Sequence, residues 1–374
     1  MSDEPIGPEE MKQILSRNKE KSKTESGVEL QTYNSAADLT EHQTILLDKD
    51  EYLFDIQTKN SCVRPLENFI KLLSKSNTQR EFASYTSLPM ARSRTVDAFF
   101  DHINLNKYSE VVVYEQTRVR AAHKHGHNYI NASWLDGFRE KRKFIVAQSP
   151  LKSAVGQFYR MMYERKSYVL VTLGELVDDT NQPYVPQKIG DILKFENMTI
   201  EMLAIRQITN TYYSATLKMT KEGQDARQII LLVYHGWGVS GYPRHPSDIL
   251  KILADMNNMR GILRKKAIEE SVVEEKQDFP VTVVCFDGLS RSCVLVALDI
   301  LCRRLEHSMA VGTPFVDVLD TIARLRMLRA EACSKAEHFV FLSMAVLEFG
   351  IRRRIISRDM LMDVDLSGFI LAGE

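Results

Sequence analysis

Residues 281–291 read Val281-Thr-Val-Val-Cys285-Phe-Asp287-Gly288-Leu289-Ser290-Arg291. The run 281–285 is β-branched and predicts a short buried strand. The residues after it, 291–306, carry apolar side chains at helical spacing through Val294, Leu295, Leu298, Leu301 and Leu305. A strand, a Gly-containing loop and a helix in succession aim backbone N–H groups and a helix N-terminus at one point, which makes an anion site. Cys285 at the strand end would have its thiolate stabilised by the same field. Arg291, in the first helical turn, offers a planar fork for two phosphate oxygens. Gly288, Leu289, Ser290 and Ser292 complete the candidate cradle. The C-x5-R spacing alone is weak, since about 0.35 such pairs arise by chance in a chain of this composition. Read without context, Cys285 is as readily a core thiol and Arg291 a helix-surface cation.

Outward from this unit the pattern is mixed α/β. Strands are predicted at 110–114, 143–147, 167–173, 199–205 and 211–219. Helices are predicted from Pro65 to about residue 73, around 80–85, at 155–164, at 246–258 with Pro246 in the first turn, near 313–328 and at 335–350. Residues 1–60 are polar and weakly periodic and read as a poorly ordered extension. Residues 61–357 form the predicted domain, and 358–374 a tail. The basic triplet Arg352–Arg354 falls at a helix end, where cations suit the helix dipole.

The 374 residues balance 49 basic against 49 acidic side chains. Zero net charge argues against a nucleic-acid binder that works by bulk charge. Five cysteines with no C-x-x-C pair argue against a disulfide framework or a zinc cluster. No apolar run reaches the ~20 residues of a membrane span, and the acidic start is no signal peptide. A cytoplasmic protein is expected, with peripheral contact at the inner face of the plasma membrane left open.

The order of further motifs resembles the classical protein tyrosine phosphatases over about residues 63–355. Asn106-Lys107-Tyr108 is similar to the family's phosphotyrosine-recognition loop, and Thr117-Arg118 to the segment after it. Asn128-Tyr-Ile-Asn-Ala-Ser133 is close to its most specific signature. Phe144–Leu151 matches the Gln-x-Pro segment, and Phe158–Met162 the helix behind it. Gly236-Trp237 falls where the mobile acid loop begins, and Arg326-x-x-Arg329 precedes the expected glutamine loop. The resemblance implies a twisted mixed sheet flanked by helices. It also implies a two-step chemistry: Cys285 attacks phosphorus, a loop Asp protonates the leaving phenolate and then activates water, and Tyr108 stacks on the substrate ring. No cofactor or metal is implied.

Measured against that pattern, the catalytic points depart. Val239 stands where the general acid belongs, and general acids contribute roughly 10²–10⁴-fold. Val284 replaces the histidine before the nucleophile. Ser334 and His338 replace the late-loop glutamines, Ser290 the glycine before Arg291, and Cys293 the glycine after it. Asp287 occupies a position normally filled by Ala inside the cradle. A carboxylate about 5 Å from a phosphate, at an effective dielectric near 20, repels each unit charge by about 3 kcal/mol, and it would raise the Cys285 pKa. Asp287 would be harmless if it turned to solvent or paired with a lysine. Asp at this position with the acid lost is also the pattern of the inactive insulinoma-associated receptor phosphatases. The reading that follows is a divergent pseudophosphatase, a phosphotyrosine- or protein-binding scaffold in signalling. It is similar to nematode phosphatase-like proteins, some of which act in developmental regulation. The alternatives are an active or weak phosphatase that uses Cys285 with Asp248 or Asp178 as a displaced acid, and a phosphate-independent structural adaptor.

Overall fold

Alternation along the central strands sorts side chains into two cores, one on each face of a single sheet. The computed structural model describes residues 52–55, 65–73, 94–123, 126–237, 242–243, 246–357 and 359–362. Its elements in chain order are α1 Leu66–Leu72, α2 Asp97–Asp101, β1 Arg118–Arg120, β2 Tyr129–Gly137, β3 Glu140–Gln148, α3 Val155–Glu164 and β4 Val169–Leu173. They continue with β5 Ile192–Phe195, β6 Met198–Thr209, β7 Tyr212–Lys221, β8 Arg227–Tyr234, α4 Pro246–Glu269 and β9 Val281–Cys285. Last come α5 Ser290–Ala310, α6 Val318–Leu328 and α7 Ala336–Arg352.

The strand order is β1-β2-β3-β9-β4-β8-β7-β6-β5. The middle strands β3, β9, β4 and β8 run parallel, and the outer ones are antiparallel. This is the twisted mixed sheet with flanking helices that the sequence predicts. Strand β9 lies between β3 and β4 with all five residues buried, as a β-branched run in a parallel centre should be. Val281, Val283 and Cys285 face the core that also holds the buried residues of α4–α7, whereas Val284 joins Phe158, Tyr159 and Met162 of α3 in the other. Helix α5 is buried from Ser292 to Cys302 on every side, so it threads the core rather than coating it.

Three elements differ from expectation. Residues 110–114 are not a strand: Val112–Tyr114 are buried by packing with Phe99 and Tyr129, Val111 is buried in the main core, and Glu115 N–H bonds to the Thr95 carbonyl rather than to a neighbouring strand. Helix α4 runs eleven residues past 258, to Glu269. Helix α6 starts at Val318, because Asp317 caps it by accepting from Asp320 N–H at 3.0 Å. Leu53 and Phe54, assigned to the extension by sequence, are buried in the main core. Residues 1–60 apart from 52–55, the helix expected around 80–85 and nearly all of the tail lie outside the described residues.

Candidate functional site

The parallel register places Gln148 beside Cys285, and Ser149 N–H donates to the Cys285 carbonyl at 2.9 Å. Both central strands thus stop together, and the chain turns through Phe286–Leu289 into α5. Gly288 makes the turn at φ +65°. A Cβ there would lie 2.2 Å from Gln148 N, so the position requires glycine for both conformation and space.

The decisive geometry is that of Asp287. Its side chain turns into the loop. Oδ1 accepts from Leu289 N–H at 2.9 Å, from Ser290 N–H at 3.1 Å and from the Cys285 thiol at 2.9 Å, and Oδ2 accepts from the Ser290 hydroxyl at 2.6 Å. The cradle amides are therefore taken by an internal carboxylate. Burial opposes its charge, but the bonds from Cys285, Ser290 and the Leu289 and Ser290 amides outweigh it and hold the carboxyl below its usual range. The thiol responds in the opposite sense. Burial, then the Asp287 charge and hydrogen bond, push Cys285 up to about 12, while the Ser292 hydroxyl and N–H pull the other way. At neutral pH Cys285 is a protonated donor, not a thiolate. The harmless arrangements of Asp287, turned to solvent or paired with a lysine, are not what the structure has.

Above the loop is a cleft of about 660 Å³ lined by Tyr108, Glu110, Val111, Cys285, Phe286, Asp287, Leu289, Ser290, Arg291, Glu331, Ser334, Lys335 and His338. Of the sequence candidates, Cys285, Asp287, Leu289, Ser290, Arg291, Tyr108 and Ser334 come together here. Gly288 and Ser292 are buried beneath, and Val239 lies outside the described residues. Arg291 Nη1 donates to the Leu173 carbonyl at 3.3 Å, so the guanidinium reaches the end of β4. Burial, followed by the Lys335 charge, pushes His338 down to about 4, leaving it neutral. Three carboxylates, Glu110, Asp287 and Glu331, then oppose two cations, Arg291 and Lys335.

The segment that leads into Tyr108 is held by a chain of polar contacts. Asn106 Oδ1 accepts from Tyr129 OH at 2.6 Å and from Asn131 Nδ2 at 2.7 Å. Asn131 Oδ1 in turn accepts from the fully buried Arg329 at 2.6 Å. Gln148 Oε1 accepts from Lys107 N–H at 3.1 Å. The Asn-Tyr-Ile-Asn motif thus brackets the 106–108 segment, and Arg329, just past the end of α6, anchors it. Burial, then the Asp287 charge, raise the Tyr108 phenol.

Sequence reasoning missed Phe286, which is 53% exposed and meets Tyr108 edge-on with ring centroids 5.7 Å apart. Lys107 Nζ lies 4.1 Å from its ring centroid. A large apolar residue directly after Cys285 was the available signal. Glu331 sits in a loop where it and Cys333 both have positive φ, for which the sequence offers no signal.

The two candidate displaced acids are hydrogen-bonded outside the cleft. Asp178 accepts from Thr180 N–H, Thr180 Oγ1 and Gln182 N–H, which outweigh burial and hold it ionised, and Asp248 is engaged by Thr211 Oγ1 at 3.2 Å. Neither lines the cleft. Cys293, Cys302 and Cys333 are buried free thiols. Among the described residues no helix is long and apolar enough to cross a membrane, and no group of three or more His, Cys, Asp or Glu is disposed to hold a metal. Two of the three basic residues at the end of α7 face carboxylates, Arg352 meeting Glu348 and Arg353 meeting Glu306.

Residues 102–348 match the family model described as protein-tyrosine phosphatase. Tyrosine-protein phosphatase 69D of Drosophila melanogaster is 30% identical over 257 residues, covering 66% of this chain and 16% of that protein. Human tyrosine-protein phosphatase non-receptor type 9 is 27% identical over 266 residues, covering 68% of this chain and 43% of its own. The chain therefore spans less than half the length of either relative. The catalytic domain of human protein tyrosine phosphatase non-receptor type 18 superposes with a TM-score of 0.59 at 21% identity, over 73% of this chain and 94% of that one, a likeness of fold.

Proposed function

This chain belongs to the protein-tyrosine phosphatase family, and on that premise we propose that it is a non-hydrolysing member, a regulatory or scaffolding module that binds signalling proteins through the phosphatase fold. The observation that carries this reading is the Asp287 carboxylate on the Leu289 and Ser290 amides. An incoming phosphate would need those same N–H groups. The thiol that should attack is protonated and points its hydrogen at that carboxylate. Val239 at the acid position removes the proton donor that a phenolate leaving group requires. The retained Cys285 and Arg291 favour the second reading, a weak phosphatase. The test is hydrolysis of a phosphotyrosine peptide by the purified chain. No turnover above a Cys285→Ser control is expected; turnover abolished by Cys285→Ser overturns the proposal. A pull-down of a non-phosphorylated partner that survives Arg291→Met would mark binding through another surface and support the adaptor form of the reading.

A further inference from the structure

On the face of the sheet that carries α4 and α5, away from the loop, a lysine, an asparagine, an aspartate and an arginine converge. Lys143 of β3 and Asp299 of α5 have fully buried side chains, with Nζ 2.5 Å from Asp299 Oδ2. Lys143 Nζ is also 2.9 Å from Oδ1 of Asn257 on α4, one carbonyl bond of about 1.23 Å from the amide carbon. The Asn257 amide nitrogen donates to Asp299 Oδ1 at 2.8 Å and to the Leu253 carbonyl at 3.0 Å. Arg303 Nη2 donates to Asn257 Oδ1 at 2.7 Å, and Arg303 Nε to Asp299 Oδ1 at 3.2 Å. The orientation of the Asn257 amide is fixed by this network, with two cations on its oxygen and two acceptors on its nitrogen.

These four groups have the parts of an acyl transfer: an amine nucleophile, an amide electrophile, a carboxylate that touches both the attacking and the leaving nitrogen, and a guanidinium on the oxygen that becomes negative. We propose that Lys143 and Asn257 become joined by an intramolecular amide bond, with Asp299 carrying the proton and Arg303 stabilising the oxyanion. The Lys143 ammonium first gives a proton to Asp299 Oδ2. The freed amine attacks the Asn257 carboxamide carbon, and the Nζ–Cγ bond forms as the carbonyl electrons move onto Oδ1 beneath Arg303. As the Cγ–Nδ2 bond breaks, Nζ loses a second proton and Nδ2 gains one through Asp299. Ammonia leaves and takes the remaining proton, so Asp299 ends ionised as it began. One ammonium replaces one lysine ammonium, and nothing is oxidised or reduced.

Burial pushes the Lys143 amine down to about 8, while the Lys143 and Arg303 charges, against burial, hold the Asp299 carboxyl below its usual range, so the first proton transfer runs uphill and the free amine is a minor form. Positioning favours the second step, since Nζ is already held 2.9 Å from the oxygen of the amide it would attack. Asn257 is only partly buried and Arg303 is 42% exposed, which leaves a path for ammonia.

Peptide mapping of the full chain by mass spectrometry tests this. The expected result is a branched peptide joining the segments around 143 and 257, lighter than their sum by one ammonia, and absent from Lys143→Arg and Asp299→Asn. Closure of the chain between 143 and 257 would also make the boiled, reduced protein migrate faster than Lys143→Arg in a denaturing gel. Separate, unmodified peptides in the wild-type protein overturn the bond, as does Asn257 recovered as the hydrolysed aspartate. A branch that persists in Asp299→Asn overturns the role given to Asp299. The mapping reads the wild-type chain directly, so a variant that fails to fold does not blunt it.

Discussion

Replacing Asp287 with alanine removes one carboxylate and frees two amides. In the wild-type loop an anion oxygen bound to Leu289 and Ser290 N–H would coincide with Asp287 Oδ1, which sits 2.9 and 3.1 Å from them. An anion must therefore displace the carboxylate or sit beside it. Beside it, at about 5 Å and an effective dielectric near 20, each unit charge meets about 3 kcal/mol of repulsion. Displacing it sacrifices hydrogen bonds to a charged group worth about 1.5–3 kcal/mol each. Either route predicts that Asp287→Ala tightens the binding of an inert oxyanion by at least about 3 kcal/mol, or about 150-fold. Tungstate titrated calorimetrically into both proteins at pH 7 measures this, with far-ultraviolet circular dichroism to show that both are folded. A folded Asp287→Ala protein that binds tungstate within threefold of wild type would refute the view that Asp287 fills the anion site.

Other consequences are accessible to simple measurements. Because the Cys285 thiol sits near 12, its alkylation by iodoacetamide should keep rising tenfold per pH unit up to pH 10; a rate that levels off between pH 8 and 10 would show an ordinary thiol. Asp287→Ala should raise the rate at pH 7 by at least about tenfold, since one pKa unit corresponds to 1.36 kcal/mol. His338 is held down to about 4 against about 6.5 in an unfolded chain. The unfolded state therefore binds the extra proton first, and the contribution of His338, at most about 3.4 kcal/mol, is present above pH 6.5 and lost as pH falls toward 4. Urea unfolding between pH 4 and 7 should show a shallower decline for His338→Gln, and parallel curves would remove His338 from the account. Gly288→Ala should lower stability by at least about 2 kcal/mol, from positive φ and backbone overlap together; an unchanged melting temperature would mean that the loop can re-route.

The strand–loop–helix unit around Cys285 was legible because its parts announce themselves separately: a β-branched run, a loop glycine, then a long apolar period. The helix Val155–Glu164 was legible to the residue. What misled was 110–114, where three valines and a tyrosine are apolar because they are packed on all sides, not because they are paired. Hydrophobicity reports burial, and only a partner strand turns an extended run into a ladder. The loss of the acid and the presence of Asp287 could be read as letters. The direction of the Asp287 carboxylate could not, since it depends on a side-chain rotamer and on amides that exist as donors only once the loop is closed. Nor could the meeting of Lys143, Asn257 and Asp299, which lie on three separate elements with no local pattern linking them.

The parallel centre of the sheet also bears on how the protein acquires this loop. Val281 pairs with both Phe144 and Val169, so the strand that ends in Cys285 is seated between neighbours made far earlier in the chain. Such pairings have high sequence separation, and chain closure must be completed before they return any stabilisation. The Gly288 turn packs against the backbone of Gln148, so its final seat exists only once β3 is in place. The loop is thus a late product of folding, and during synthesis its residues emerge only after most of the sheet has waited for its central strand.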